Sequence, residues 1–390
     1  MTEFEAELKS IESKKNFAVT CKNNSEQQLV GNQSNDSPKP GDPISSDTPT
    51  MNEETLENEE ESKGETNIES RKMAVPMIEL NSGYDMPMVG LGTWQIEPQD
   101  VGKAVESAIK DGYKHIDCAW MYKNQDAIGK TLKKLFSSAQ GKSDRDLFIT
   151  SKVWNSFHSA EACKKHVLEI LDQLQLDYVD LMLIHWPMGY AEGEEPIPKD
   201  EGSDKVKFSE EDYLTTYKVL EDYVKEGKIR SIGISNFNVQ QLERLLANCR
   251  IKPAALQVEL HPFLPQKELR AYCKEKGITL IAYSSLANPG SNEFREEGDP
   301  NVLKDPVVNN IAKAHGKTPA QVVLRWATQQ GILIIPKSVS EERISQNADL
   351  FDFTLTDDEM KELDGLECGY RVVKLSESER KHPQCPFNEG

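Results

Sequence analysis

No stretch of this sequence holds 18 consecutive apolar residues, and its start, Met-Thr-Glu-Phe-Glu-Ala-Glu, carries neither a basic nor an apolar leader. Those absences speak against a membrane-spanning helix and a cleaved signal peptide, and a soluble cytoplasmic protein without a membrane partner is expected. Basic charge is in deficit: 46 Lys and Arg face 65 Asp and Glu, for a formal net charge of −19. A chain so charged, with no basic stripe, is repelled by phosphate backbones, so nucleic acid is not an expected partner. The seven cysteines (Cys21, Cys118, Cys163, Cys249, Cys273, Cys368 and Cys385) include no Cys-x-x-Cys pair and no disulfide-like spacing, which points to reduced thiols. Histidine is equally sparse. None of the seven stands at His-x-His or His-Glu-x-x-His spacing, so a metal site, and with it a metal-dependent barrel hydrolase, is disfavoured. His158, His166, His315 and His382 are expected in helices or loops where solvated histidines are common, and His261 as a turn or mouth residue.

What is present divides the chain in two. Residues 1–72 are dense in Glu, Ser, Asn, Lys and Thr with almost no aromatics, so they bury too little to offset their ordering entropy, and a disordered acidic N-terminal tail of unknown partners is expected. Beyond Met73, short β-rich apolar runs alternate with longer stretches of helical period, the signature of βα units and a parallel sheet. Eight strands are predicted, at Met88–Gly92, His115–Asp117, Leu147–Lys152, Val179–His185, Ile229–Ser235, Leu256–Glu259, Thr279–Tyr283 and Ile332–Pro336. Helices are predicted near Val101–Asp111, Ala127–Ser137, Ala160–Leu174, Glu211–Glu226, Val239–Asn248, Gln266–Lys276, Pro319–Gln329 and Glu341–Leu350, with an extra one at Val307–His315. Eight such units over 73–390 predict a single (β/α)8 TIM barrel, with the long connections Pro187–Ser209 and Leu286–Lys304 at its catalytic mouth. An open doubly wound sheet would need a Gly-x-Gly-x-x-Gly turn, and the nearest segment, Gly90 to Gln95, lacks the third glycine.

A polar or ionisable residue ends each buried run after the first: Asp117, Lys152, His185, Ser235 with Asn236, Gln257 or Glu259, Tyr283 and Lys337. In a barrel all of them converge on one face. Asp117, Tyr122, Lys152 and His185 are the candidate catalytic group. A buried lysine cation beside a tyrosine favours the phenolate, a carboxylate keeps that lysine charged, and the phenol becomes a general acid able to protonate a carbonyl oxygen that the imidazole orients. That chemistry needs a hydride source and no nucleophile or metal. Ser235, Asn236 and Gln257 suit a carboxamide, and Tyr283 offers a ring face to a flat heterocycle. Lys337, Ser338, Ser340 and Arg343 at the start of a predicted helix form a phosphate site.

Eight phrases carry a resemblance: Gly90-Leu-Gly-Thr-Trp94, His115-Ile-Asp-Cys-Ala-Trp-Met-Tyr122, Ser151-Lys-Val-Trp154, His185-Trp-Pro187, Gly233-Ile-Ser-Asn-Phe237, Gln257-Val-Glu-Leu-His-Pro262, Ala282-Tyr-Ser-Ser-Leu286 and Ile335-Pro-Lys-Ser338. In this order the chain resembles the aldo-keto reductases, in their aldose reductase and aldehyde reductase branch. The resemblance implies NADPH or NADP+ lying across the barrel mouth, with Tyr122 as proton donor. It implies cofactor contacts from Thr93, Trp94, Asp117, Ser235, Asn236, Gln257, Tyr283, Ser284, Leu286, Lys337, Ser338, Val339, Ser340, Arg343, Gln346 and Asn347. It also implies a substrate pocket lined by Trp94, Trp154, His185 and Trp186, a small carbonyl compound as substrate, and a monomer. Gln346 stands where many relatives carry Glu, and Ser284-Ser285-Leu-Ala replaces the usual Ser-Pro-Leu-Gly. The implied activity is NADPH-dependent reduction of aldehydes and some ketones; the alternative is an NADPH-binding regulatory or structural protein on the same fold.

Overall fold

The structure, a computed structural model, describes residues 74–137, 146–193, 195–290 and 295–387; the expected tail lies outside the described residues. A two-stranded antiparallel hairpin, β1 (Met77–Glu79) with β2 (Asp85–Pro87), precedes a parallel sheet of eight strands. These are β3 (Leu91–Gly92), β4 (His115–Asp117), β5 (Phe148–Val153), β6 (Val179–Ile184), β7 (Ile229–Ser235), β8 (Ala255–Glu259), β9 (Thr279–Tyr283) and β10 (Leu333–Ile334). Each pairs in parallel with its sequence neighbours. The ends of the sheet also meet. Val89 bridges Ile334 in parallel, Gly90 N donates to Ile334 O and Ile334 N to Met88 O, both at 2.9 Å, so the sheet closes into a cylinder. Closure leaves no open edge. Small residues make the seam possible: a Cβ on Gly92 would lie 2.4 Å from Ile335 O, and one on Gly90 2.2 Å from the His115 ring.

Strands β5 and β6 are buried at every position, as parallel strands covered on both faces must be. Between strands run the helices α1 (Pro98–Lys110), α2 (Gln125–Phe136), α3 (Ala160–Leu174), α4 (Tyr213–Lys225), α5 (Val239–Leu246), α6 (Lys267–Lys276), α7 (Pro306–His315), α8 (Pro319–Gln329) and α9 (Glu341–Ala348). Helix α3 shows why they form: Ser159 accepts from Ala162 N at its start, Cys163, His166, Val167, Ile170, Leu171 and Leu174 make one buried stripe, and Gln175 ends it in the left-handed region. Two short helices absent from the sequence prediction follow, α10 (Asp357–Asp364) and α11 (Glu377–Arg380), each opened by a capping box.

The hairpin was not predicted either. It closes the end of the cylinder where the strands begin: Leu80 and Met86 are buried against Phe148, Leu181, Ala255, Ile281 and Leu333, and Asn81 Nδ2 donates to Pro253 O and Gly277 O, just before β8 and β9. The two long connections leave the opposite end, after β6 and β9. That leaves one open face, at the strand exits, for chemistry.

Candidate active site

Strand β4 ends in Asp117, opposite Thr150 of β5, and Lys152 stands two residues further along β5 on the same face. The lysine ammonium is wholly withdrawn from solvent, which is tolerable only where it is paired and its donors are used. Nζ donates to Asp117 Oδ1 at 2.5 Å, to Cys118 O at 2.9 Å and to Tyr122 Oη at 3.2 Å, so all three N–H bonds have acceptors. The second carboxylate oxygen of Asp117 accepts from Gln257 Nε2 at 2.8 Å, which locks the ion pair to β8. Tyr122 stands on a one-turn 3₁₀ helix, Trp120–Tyr122, directly after β4. His185, the residue after β6, joins through ring contacts: it is edge-on to Tyr122 with centroids 5.8 Å apart and to Trp154 at 5.0 Å.

Burial and charge act against each other here. Burial presses Lys152 toward the neutral form, but Asp117 and Tyr122 outweigh it and raise its pKa, so it stays an ammonium. The Tyr122 phenol is pushed up to about 12 by burial, with Lys152 pulling it back only in part. Sequence reasoning expected the ammonium to dominate; it could not weigh the desolvation of a phenolate. The phenol therefore keeps its proton in the folded protein. Burial and the charge of Lys152 both hold His185 well below its ordinary value, so it is a neutral imidazole with one N–H and one acceptor nitrogen. Its Nδ1 has no hydrogen-bond partner among the described residues.

The exits of β7, β8 and β9 form a connected polar floor. Asn236, left-handed at φ 62°, donates through Nδ2 to His185 O at 3.0 Å and Ser235 Oγ at 3.2 Å, and accepts from Tyr283 Oη at 2.8 Å. Thr93 Oγ1 donates to Asp117 O at 2.8 Å, joining the exit of β3 to the same network. Gln95, Lys123, Asn236, Ser284, Ala287 and Asn288 all adopt positive φ at strand exits, the kind of backbone strain that collects at functional sites. Trp154 is buried, with Nε1 donating to Pro196 O at 2.6 Å; Trp186 is buried edge-on to Phe387 of the C-terminal segment, and Trp94 is half-buried. Leu286 is half-buried on the β9 exit loop with Ser284.

At the β10 exit, Ser340 caps α9, Ser338 Oγ accepts from Ser340 N at 3.1 Å, and Arg343 Nε reaches the same hydroxyl at 3.5 Å. Partial burial and the nearby Arg343 charge lower the pKa of Lys337. Neither cation has an ion-pair partner within 4.0 Å among the described residues, and the Arg343 charge is close enough to act on Lys337. Val339 is exposed, Asn347 is buried, and Gln346 Nε2 donates to Glu342. This group lies at a separate exit from the Asp117–Lys152 pair, linked to it across the seam by Gly92 N to Pro336 O at 3.3 Å.

Several functional details had no sequence signal. The Cys118 carbonyl that takes the third lysine proton is backbone, and Asn124, whose Nδ2 donates to Thr93 O and Ile96 O, is one asparagine among many. Glu259, left open beside Gln257 in the sequence, takes no part in the Asp117–Lys152 pair: it accepts from His261 at 3.0 Å and from the backbone N–H of Val372 and Val373, so it fastens the C-terminal segment. The solvated histidines expected at 158, 166 and 382 are instead buried, because they pack inward from helix and loop, and His315 is half-buried on Glu359. Among the described residues no group of three or more His, Cys, Asp or Glu could hold a metal ion, and no helix is long and apolar enough to cross a membrane. Among the described residues, none of the six cysteines forms a disulfide.

Known proteins match this architecture closely. The model of the Aldo/keto reductase family matches residues 88–367. Aldo-keto reductase family 1 member A1 of Mus musculus is 39% identical over 325 residues, 81% of this chain and 99% of that protein, and the Cricetulus griseus protein of the same name is 40% identical over 319 residues, 80% and 98%. The solved aldose reductase of Schistosoma japonicum superposes with a TM-score of 0.75 at 39% identity, covering 80% of this chain and 99% of its own. The chain belongs to the aldo/keto reductase family, oxidoreductases of the nicotinamide-cofactor kind that reduce carbonyl compounds.

Proposed function

We propose that this protein reduces aldehydes (sugar, aliphatic or aromatic) and some ketones to alcohols with NADPH, and that Tyr122 delivers the proton. The observation that carries the reading is the bond from one buried ammonium to both Asp117 and the Tyr122 hydroxyl at the open end of the barrel. When bound, the reduced nicotinamide supplies the hydride to the carbonyl carbon and is left oxidised. Tyr122 gives its proton to the carbonyl oxygen, completing the new O–H bond, and Lys152 stabilises the phenolate left behind. Asp117 holds that ammonium in place. The neutral His185 orients the substrate oxygen through its N–H, while Trp94, Trp154 and Trp186 exclude water around the reacting carbon.

The residues present fit the cofactor. Ser235, Asn236 and Gln257 offer donors and acceptors to its carboxamide, with Thr93, Trp94 and Asp117 at the near rim and Tyr283 as a stacking surface. The unneutralised Lys337 and Arg343, with Ser338, Val339, Ser340 and the capped start of α9, suit a 2′-phosphate, with Gln346 and Asn347 beside the adenine; Ser284 and Leu286 would cover the pyrophosphate. The reading extends to a cytoplasmic monomer in which residues 73–390 form the catalytic domain.

Tyr122→Phe tests it. Turnover of an aldehyde, followed by loss of NADPH absorbance, is expected to fall by at least ~10²-fold, the scale of a positioned general acid. NADPH affinity is expected to stay within a fewfold. An active phenylalanine variant would remove the donor assignment; tight NADPH binding by a wild-type protein that turns over no carbonyl would favour a regulatory role.

A further inference from the structure

The proposed donor sits on a three-residue turn, which makes few hydrogen bonds of its own, so its position depends on neighbours outside the Asp117–Lys152 pair. Two residues upstream, the buried Trp120 donates from Nε1 to Glu169 Oε1 at 2.7 Å. Directly downstream, Lys123 turns into the left-handed region and lays its ammonium 3.3 Å from the centre of the Trp120 ring. Trp120 is thus gripped on its edge and on its face, and Tyr122 lies between the two grips.

Glu169 comes from α3, outside the barrel. One turn earlier on that helix, the buried His166 stacks on Phe157 with centroids 3.8 Å apart and planes 6° from parallel, and stands edge-on to Trp120 at 5.2 Å. Its Nε2 accepts from Trp154 N at 3.4 Å, which places the ring proton on Nδ1, 3.6 Å from Glu169 Oε2. That separation is longer than a hydrogen bond, so the two groups meet as a charge contact, while the stacked and edge-on rings hold the imidazole plane. Two residues on one face of one helix therefore support the exits of two adjacent strands, one carrying Tyr122 and the other Trp154.

We propose that Glu169 is a positioning residue for the proton donor: its carboxylate, accepting from Trp120 Nε1 while His166 packs on the same ring, fixes Trp120 and through it the turn that presents Tyr122 to the substrate oxygen. The inference rests on the reading of Tyr122 as donor. In the full-length enzyme, Glu169→Ala is expected to lower kcat for an aldehyde on the order of tenfold, part of the ~10²-fold that misplacement by 1 Å can cost. KM for NADPH should not move, and the alkaline limb of the kcat profile should shift as the Tyr122–Lys152 contact loosens. Glu169→Gln, whose amide oxygen can still accept from Trp120, should restore most of the rate. Trp120→Phe keeps a ring but loses the donor; it should reproduce the loss, and combining it with Glu169→Ala should cost no more than either alone, as for two halves of one contact.

Wild-type kcat and pH profile in Glu169→Ala, with Tyr122→Phe inactive, would overturn the positioning role and leave the donor reading standing. An active Tyr122→Phe overturns both. Additive losses, or a lower Tm with unchanged kcat per folded enzyme, would make Glu169 a packing residue only. If Glu169→Ala does not fold, Trp120→Phe and Glu169→Gln decide the matter by the same split between kcat, KM and pH profile.

Discussion

At the scale of single residues, the mouth holds two kinds of cation, and their surroundings assign them different work. Lys152 has three acceptors and a fully engaged carboxylate, so its charge is committed to Tyr122. Lys337 and Arg343 are both exposed, and partial desolvation, with the Arg343 charge added to it, lowers the pKa of Lys337. A dianionic 2′-phosphate would relieve that repulsion through charge-assisted bonds, each worth about 1.5–3 kcal/mol in net terms. Wild-type protein is therefore expected to bind NADPH at least ~10²-fold more tightly than NADH, since about 1.4 kcal/mol is one decade. In Lys337→Met with Arg343→Met, most of that ratio should vanish with NADH binding unchanged. Titration of both cofactors by quenching of protein fluorescence would show it. Equal affinities in the wild type would take the phosphate site out of the account.

At the scale of elements, sequence and structure agree where the signal is local. Strands β4, β7 and β9 and helices α3 and α8 have the predicted bounds, because an apolar run or a 3.6-residue stripe between capping residues is written in consecutive side chains. The rule that polar strand ends share one face likewise brought Asp117, Lys152 and Gln257 within one hydrogen-bonded group. Legibility fails where partners are distant. The β1–β2 hairpin has three-residue strands, too short to show alternation, and its reason to fold is the open bottom of a cylinder assembled from the rest of the chain. The buried histidines and the raised phenol pKa depend on neighbours far along the chain. The seam is another long-range feature, since β3 was expected to start at Met88 and β10 to run from Ile332 to Pro336, whereas both are short and are joined by a single bridge and flanking bonds. At that seam Gly92→Ala would drive a methyl against the Ile335 carbonyl, and a loss of about 1–3 kcal/mol in urea unfolding is expected from overpacking against backbone. Gly290→Ala, where a Cβ meets nothing within 4 Å among the described residues, is the matched control and should be near neutral. Equal midpoints for the two variants would mean that the barrel does not close tightly there.

At the scale of the whole molecule, the same burial that shapes the site determines how the protein meets acid. Five histidines, His115, His158, His166, His185 and His382, have their pKa lowered by burial, His115 to about 4 and His158 to about 3. Each is neutral in the folded protein and titrates near 6.5 once unfolded, so the unfolded chain binds more protons below that value. Stability from these groups is fully present above pH 6.5 and is lost as pH falls toward their folded values. A group that stays neutral in this way contributes a slope of about 1.4 kcal/mol per pH unit, so His115 and His158 alone could remove up to ~3 kcal/mol per unit, a large part of the ~5–15 kcal/mol by which domains are stable. Asp180 and Asp305, whose pKa burial raises, act in the opposite sense, because there the folded state holds the extra proton. Two such groups cannot cancel five. Urea unfolding measured from pH 7.5 down to pH 5 should therefore show stability falling steeply below about 6.5, with a net uptake of roughly two to three protons per molecule on unfolding. An uptake below one proton across that range would mean that these imidazoles are charged in the folded protein, and the neutral His185 on which the proposed orientation of the substrate oxygen depends would fall with them.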